Sequence, residues 1–598
     1  MTQPTKPTKR IAIYSFSDPD GIVDDYVLYQ LQELRKHAET ILFAAVGDIT
    51  SQSKEAVAKS ANHILQIDKT EAELIPYQKG IEFLGQNTLM QYDELVLMND
   101  SMYGPVYPLE EAFSWAETSG ADFWGMVRHY YYGNEIFFAV TQYNSIPEHI
   151  SHSFFVIRKS LLHTEDHATF WNTLSDLDDT SSTFLYHNPT KYFEEKGYVS
   201  AAYVDTKYLE NIYAEPLRYA AAELIQKKQY PFFARQLFLS GEVSDFTSHT
   251  FGEQTVEVIR IVENQTSYKM EWVWQNALRL ANLADLHRNA QLNRVLPKHA
   301  ATSTESPKLK TLLVVHSYYE DYIGYILSYI VNMPSYCDIL ITTPFEKSKE
   351  IILTEAKKRG IPNKLFVEII ENRGRDISAL LIGAKRYVFG YDLVFFLHDK
   401  KSGSYLTPPS IGISWQKKCF ENLLGSTIYI ENILHMFEKE PRLGLAFPPP
   451  PYCPQNHFKK FMGTEWSDSF EPSAKLLKEF NIHLPLSKKA PPICPFGTMF
   501  VFRPQALRQL FNGLSGNGWK YTNFPKEPTP SDATILHAIE RTYQYFAQNA
   551  GYYVAWLVND EWASIELGNY YSGWSITDCE FKQYQSDNDS SKERKSHE

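Results

Sequence analysis

The chain has 598 residues, 43% of them hydrophobic and 14% aromatic, with 39 Tyr and 36 Phe, which is too much for one core and suits two domains with a connector. A formal net charge of −13 disfavours nonspecific binding to nucleic acid or to an anionic membrane over the whole surface, while leaving local basic clusters free to bind phosphate. No run of about 18 uncharged apolar residues occurs and the polar stretch Met1–Arg10 has no apolar core behind it, so the expectation is a cytoplasmic protein without a spanning helix or signal peptide.

Ile11–Phe16 reads as a buried strand, Gly21–His37 as a helix with apolar positions at Val23, Tyr26, Val27, Leu31 and Leu34, and Ile41–Gly47 as the next strand. This β-α-β start predicts a crevice at the strand ends. The loop between, Ser17–Asp25, places Asp18, Asp20, Asp24 and Asp25 around a glycine. Its spacing lacks the distal Glu of a calcium loop, and helix capping by Asp18 or Asp20 is the favoured role. Tyr92–Leu109 carries a strand that ends in Asn99, Asp100 and Ser101, followed by the turn Tyr103-Gly104-Pro105, which could frame a ligand.

Thr255–Leu296 is polar and helix-compatible, and Pro297–Lys308 has the composition of a linker, placing a boundary near residue 300. Beyond it the pattern restarts: Leu312–His316, Cys337–Thr343 and Lys364–Ile370 as strands, with Asp321–Val331 and Glu346–Lys358 as helices. Four segments recur in order, Arg10–Asp20 with Thr311–Asp321, Tyr92–Ser101 with Tyr391–Ser402, Ser153–Leu162 with Thr498–Leu507, and Gly197–Asp205 with Gly551–Asp560. The chain therefore reads as a domain duplication.

Glu371–Gly403 is the strongest constellation. A loop with Arg373, Gly374, Arg375 and Asp376 follows one strand, and the strand Leu393–Leu397 delivers His398, Asp399 and Lys400 to its carboxyl end. Arg forks and a Lys charge suit a diphosphate, the Gly permits close backbone approach, and Asp399 is placed for a divalent metal or a ribose. The alternative is a loop salt bridge between Arg375 and Asp376 beside a solvated strand end. Walker and GxGxxG patterns are absent. The first half lacks the Arg-Gly-Arg-Asp loop. Farther on, Lys526–Tyr553 reads as a helix starting at Ser531 or Asp532, where Asp532 or Glu527 could act as a general base and His537 with Glu540 is favoured as a surface pair. The five cysteines form no CxxC pair, which argues against a disulfide framework or a zinc site.

Together, the NRGRDI loop, the YD…HDKKS strand, Trp415–Ser426, Gly497–Leu507 and Asp532–Arg541, with Asn99–Pro105 and His149–Leu162 in the first half, resemble the rhamnan synthesis protein F family over roughly residues 10 to 565. The resemblance implies an α/β protein with two tandem GT-A-like (Rossmann-like) domains, at 10–230 and 309–570, a helical connector and linker at 231–308, and a tail at 571–598 with a disordered end. It implies a glycosyltransferase that moves L-rhamnose from dTDP-L-rhamnose, with inversion, to a lipid-linked cell-wall glycan at the cytoplasmic membrane face, with peripheral membrane contact and no nucleic-acid partner. Carried over residue by residue, Arg373, Arg375, Asp376, His398, Asp399 and Lys400 match the donor motif of the second domain, and Asn99, Asp100 and Ser101 that of the first. Asp399, Asp532 and Asp100 are the catalytic candidates; Gly374 and Tyr103 join the substrate-binding set. Mn²⁺ or Mg²⁺ at Asp399 stays open, because neither strand end carries Asp-x-Asp. Pro231–Arg235 also lacks a Lys that the pattern leads one to expect after Pro-Phe. Two other readings stand beside this one: a transferase for another nucleotide sugar, and a glycan-binding or assembly protein with degenerate domains.

Overall fold

The central apolar runs of the sequence, Arg10–Ser17, Thr311–His316 and Leu393–His398, become strands buried on both faces, as expected of parallel sheets sandwiched between helices, while Leu365–Ile369 is only half-buried. In the computed structural model, which describes residues 8–70, 72–130, 148–174, 188–213, 215–241, 253–401, 409–450, 454–455, 460–461, 466–530 and 532–569, the chain divides into two compact units, Met1–Ala277 and Leu278–Glu598. Ser402, Gly403, Ser531, Cys453, Cys579 and the tail from residue 570 lie outside the described residues.

The first unit contains β1 (Arg10–Ser17), β2 (Thr40–Val46), β3 (His63–Ile67), β4 (Glu94–Asn99), β5 (Met102–Tyr103), β6 (Phe123–His129), β7 (His149–Ile150), β8 (Phe154–Arg158), β9 (Ser200–Val204) and β10 (Phe233–Ala234). Its main sheet runs β3-β2-β1-β4-β8-β6-β7, with β9 also paired to β6. The strands β3, β2, β1 and β4 are mutually parallel, β8 is reversed between β4 and β6, and β9 is parallel to β6. The helix expected over Gly21–His37 spans Asp25–Arg35. It starts late because Asp18 folds the loop first: its Oδ1 accepts the N–H groups of Asp20 and Ile22, both at 3.0 Å. Asp24, not Asp18 or Asp20, occupies the N-cap position. Gly21 has φ +65°, and a Cβ there would stand 2.2 Å from the Asp48 carbonyl oxygen.

The second unit contains β11 (Asn293–Leu296), β12 (Thr311–His316), β13 (Asp338–Thr343), β14 (Leu365–Ile369), β15 (Leu393–His398), β16 (Leu443–Phe447), the short pair β17 (Pro454–Gln455) and β18 (Lys460–Phe461), β19 (Phe500–Phe502) and β20 (Tyr553–Asn559). The sheet order is β11-β20-β16-β19-β15-β12-β13-β14, with β19 the reversed strand. Replacing β12, β13, β14, β15, β19, β16 and β20 by β1, β2, β3, β4, β8, β6 and β9 reproduces the first sheet. All four repeated segments of the sequence fall on equivalent strands, so the molecule is two tandem Rossmann-like α/β domains that share a reversed strand, β8 and β19, at the same place, with the short β7 a second reversed strand at the edge of the first sheet.

The contact division differs from a boundary near residue 300 and from a connector over 231–308. Phe233–Ala234 pairs with Met102–Tyr103, which ties the start of that stretch to the first unit, while β11 pairs with β20 in the second. Pro297–Lys308 is fastened to the second unit rather than left as a linker. Asn432 donates to the Pro297 and Ala300 carbonyls at 2.9 and 2.8 Å and accepts from Thr302 N–H at 2.7 Å, and His435 bonds the Glu305 carbonyl at 2.9 Å. Among the described residues no helix is long and apolar enough to cross a membrane. Cys337, Cys419 and Cys494 are free and buried.

Candidate functional site

In a mostly parallel sheet the loops after the strands share one edge, and the second unit opens a cleft of about 660 Å³ there. β12 and β15 lie side by side in register, so His316 and His398 are neighbours at the strand ends. The next turn of chain brings Asp399 against the loop after β12. Its Oδ2 accepts the backbone N–H groups of Tyr318 and Tyr319, both at 2.8 Å. Burial pushes the Asp399 carboxyl up to about 6, against these two donors and the adjacent His398, which favour the charge. His316 donates to or accepts from Thr342 Oγ1 at 3.0 Å, and burial pulls its ring down to about 4.

His398 is held between two carbonyl oxygens, with Nδ1 2.7 Å from that of Asp399 and Nε2 2.6 Å from that of Gly497. The two contacts fix the ring between the Asp399 and Gly497 backbones. Asp376 Oδ2 lies 3.9 Å from Nε2 and lines the cleft. The Arg375–Asp376 salt bridge anticipated as the alternative is replaced by another pair: Arg375 Nε donates to Glu527 Oε1 at 2.6 Å and Nη2 to Oε2 at 3.2 Å. This bond keeps the guanidinium charged and pulls the Glu527 carboxyl below its usual range.

Gly374 earns its place twice. Its φ is +87°, and a Cβ would meet the Phe524 ring at 2.8 Å. Arg373 points away from a ligand role: Nε donates to the Phe524 carbonyl at 2.7 Å and Nη2 to that of Thr522 at 3.3 Å. Lys400 lines the cleft with its ammonium 4.4 Å from the centre of the Trp415 ring, and Lys401 beside it is paired with Asp321 at 2.7 Å. Arg373, Gly374, Arg375, Asp376, His398, Asp399 and Lys400 all line this one cleft. It adds His316, Lys401 and the amides of Tyr318 and Tyr319. The signal for His316 was present, since both central strands of this unit end in His.

Asp532 stands apart from the cleft-lining residues. It accepts from Asp468 N–H at 3.3 Å and from the Ser469 hydroxyl; burial opposes its charge, but the Ser469 hydroxyl, the Ala533 amide and the nearby Arg541 prevail and hold its carboxyl below the usual range. The helix predicted to start at Ser531 or Asp532 begins at Ile535, with Thr534 as N-cap. Among the described residues His537 and Glu540 share no hydrogen bond: the first meets Thr534 Oγ1 at 2.8 Å, and the second accepts Gly497 N–H at 2.8 Å and pairs with Arg541 at 2.9 Å.

The equivalent strand end of the first unit is filled by the protein. Asn99 Oδ1 accepts from the Ser101 N–H and hydroxyl at 3.1 and 2.6 Å. Asp100 is paired with Arg235 at 2.7 Å, with side chains 13% and 14% exposed. Tyr103 is wholly buried, donating to Asn276 Oδ1 at 2.8 Å while Asn276 donates to Asp24 Oδ2 at 2.6 Å, so its ring is a core element and not part of a ligand frame. Arg235 comes from the Pro231–Arg235 segment, whose missing Lys is thereby answered by an internal cation.

Fold and cleft define a duplicated α/β protein with a basic, carboxylate-floored crevice at the strand ends of its second unit. The chain belongs to the rhamnan synthesis protein F family, whose sequence model matches residues 41–552. Uncharacterized protein WxcX of Xanthomonas campestris pv. campestris strain B100 is 29% identical over 265 residues, 44% of this chain and 34% of that protein, and strain ATCC 33913 carries the same match. The chain spans about a third of the length of these curated relatives. Among solved structures, S. aureus TarS 1–349 is similar at 11% identity over 42% of this chain and 58% of that one, with a TM-score of 0.22. The glycosyltransferase GlyE of Streptococcus pneumoniae TIGR4 is similar at 10% identity over 66% and 87%, with a TM-score of 0.21.

Proposed function

We propose that the protein is an inverting glycosyltransferase whose second unit transfers L-rhamnose from dTDP-L-rhamnose to a lipid-linked rhamnan or cell-wall glycan. The observation that carries the reading is the convergence of Arg375, Lys400, Lys401 and an amide-anchored Asp399 on one cleft, in a chain of the rhamnan synthesis protein F family. In the reaction an acceptor oxygen bonds the anomeric carbon as the bond to the diphosphate breaks. Arg375, Lys400 and Lys401 take up the charge on the departing dTDP. The acceptor proton passes to a cleft carboxylate, and Asp376, whose carboxylate has no hydrogen bond among the described residues, is placed to receive it. Asp399 orients the donor through a ribose hydroxyl.

Mn²⁺ or Mg²⁺ would have Asp399 as its protein ligand and would supply further positive charge at the diphosphate. A hard cation takes about six oxygens, and the described residues hold no group of three His, Cys, Asp or Glu suited to a metal, so the leaving charge falls to the basic side chains. The work would be done at the cytoplasmic face of the membrane through peripheral contact with the lipid-linked acceptor. For the first unit, the Asp100–Arg235 closure favours a non-catalytic, glycan-holding role.

The test is a panel of nucleotide sugars, with and without Mn²⁺ or Mg²⁺, read by mass spectrometry of a short rhamnan acceptor. Rhamnose transfer from dTDP-rhamnose is expected. Transfer from another donor replaces the sugar assignment, and absence of both transfer and donor hydrolysis replaces the enzyme by a binding protein.

A further inference from the structure

Three consecutive residues of the loop after β14 grip one neighbouring segment, Tyr521–Thr529. Arg373 holds its carbonyls, Gly374 abuts its Phe524 ring, and Arg375 holds Glu527. The first two contacts are firm: Phe524 is buried and stacks on Trp519 with ring centres 5.5 Å apart. The third differs in kind. The Arg375–Glu527 pair is 44% and 47% exposed and both partners line the cleft. Arg375 also sits at φ +51°, a left-handed backbone that a non-glycine residue adopts at a cost, so the loop spends strain to aim this guanidinium.

A guanidinium fork fits two carboxylate oxygens and two phosphate oxygens in the same way. We propose that Glu527 is an internal stand-in for a ligand phosphate: it holds Arg375 in its binding position while the cleft is empty and yields it to a diphosphate, unlatching the exposed end of the Tyr521–Thr529 strap while Arg373 and Phe524 keep the other end fixed. The exchange is affordable because an exposed ion pair contributes little, whereas the incoming diphosphate carries more charge and further contacts at Lys400 and Lys401. It makes Glu527 a determinant of specificity, because a neutral or singly charged ligand has less with which to displace it. The inference rests on the reading of the cleft as a diphosphate site.

The experiment is a double-mutant cycle on the full chain by calorimetry, with dTDP, inorganic pyrophosphate and thymidine as probes. Glu527→Gln should tighten dTDP and pyrophosphate by about three- to tenfold, since the competitor loses its charge, and leave thymidine unchanged. Arg375→Ala should weaken both phosphate ligands, and in that background Glu527→Gln should change nothing. Wild-type binding with no tightening in Glu527→Gln overturns the stand-in alone. So does equal tightening in the Arg375→Ala background, which would mark a general charge effect. If the wild type binds neither dTDP nor pyrophosphate, the reading of the cleft falls and the stand-in with it.

Discussion

Asp100 and Asp399 occupy the same place in two copies of one architecture, the first residue beyond the central strand, and what stands opposite their carboxylates has diverged. Each takes a backbone hydrogen bond from the end of the first strand of its unit or just beyond it, from Ser17, the last residue of β1, for Asp100 and from Tyr318 with Tyr319, past the end of β12, for Asp399. The rest of Asp100 is claimed by Arg235, whose guanidinium also meets the Asp100 carbonyl at 2.9 Å and stands over the Tyr26 ring. The rest of Asp399 opens on the cleft. Strand order and the strand-end carboxylate are therefore properties of the shared fold, whereas availability for a ligand is decided by what a distant segment places opposite it. In one unit that segment supplies an internal cation; in the other it leaves basic residues around an open crevice.

Turnover separates the two carboxylates most. Asp399→Asn should lower rhamnose transfer by on the order of a hundredfold or more, because it removes a charge that orients the donor in the transition state. Asp100→Asn should leave transfer within about twofold, its carboxylate being spent on Arg235. Both are read by mass spectrometry of the acceptor, alongside circular dichroism to confirm the fold. Equal losses in the two variants would return the first unit to catalysis, and full activity of Asp399→Asn would remove the second unit's carboxylate from the mechanism.

Stability sharpens the same contrast in the other direction. Arg235→Ala strands Asp100 in a largely buried setting, and breaking one side of such a pair costs about 3 kcal/mol. Arg375→Ala breaks an exposed pair and should cost under about 1 kcal/mol. Urea unfolding of the two variants separates them. A larger loss for Arg375→Ala would mean that the Tyr521–Thr529 strap is part of the folding core.

How much of this could be read from the residues follows from the range of the interactions. The repeated strands were legible because an apolar run is local, and the cleft set from Arg373 to Lys400 was legible because consecutive residues at strand ends share an edge. The closure of the first unit was not: Arg235 reaches Asp100 across 135 positions of sequence. Nor was the demotion of Arg373, whose partners are backbone carbonyls some 150 residues away and carry no residue-type signal. The amides that anchor Asp399 are equally silent in composition. Pro297–Lys308 misleads in the opposite sense: most of its side chains are exposed, as its composition suggests, but its backbone is bonded to Asn432 and His435.

The smallest effect is the pH dependence, and it discriminates the two carboxylates best because it needs no change of sequence in the wild type. Burial raises both, but Asp100 has an arginine to hold its charge and Asp399, at about 6, has His398, Lys401 and two amides around it with Asp376 nearby. If transfer requires the Asp399 carboxylate, the rate should be about half of its plateau at pH 6 and about a tenth at pH 5, rising with pH and never falling through that window. Linkage gives stability the opposite sign. A carboxyl raised above its ordinary value of 3.8 disfavours its own charge in the fold, so this group's unfavourable contribution enters as pH climbs from there to about 6 and is complete above it. Asp399→Asn should therefore gain stability over the wild type at pH 7 and little at pH 4, while its residual activity loses the limb near pH 6. Persistence of that limb in Asp399→Asn would assign it to another cleft group, and a stability gain independent of pH would show that the carboxylate is not the strained member of the site.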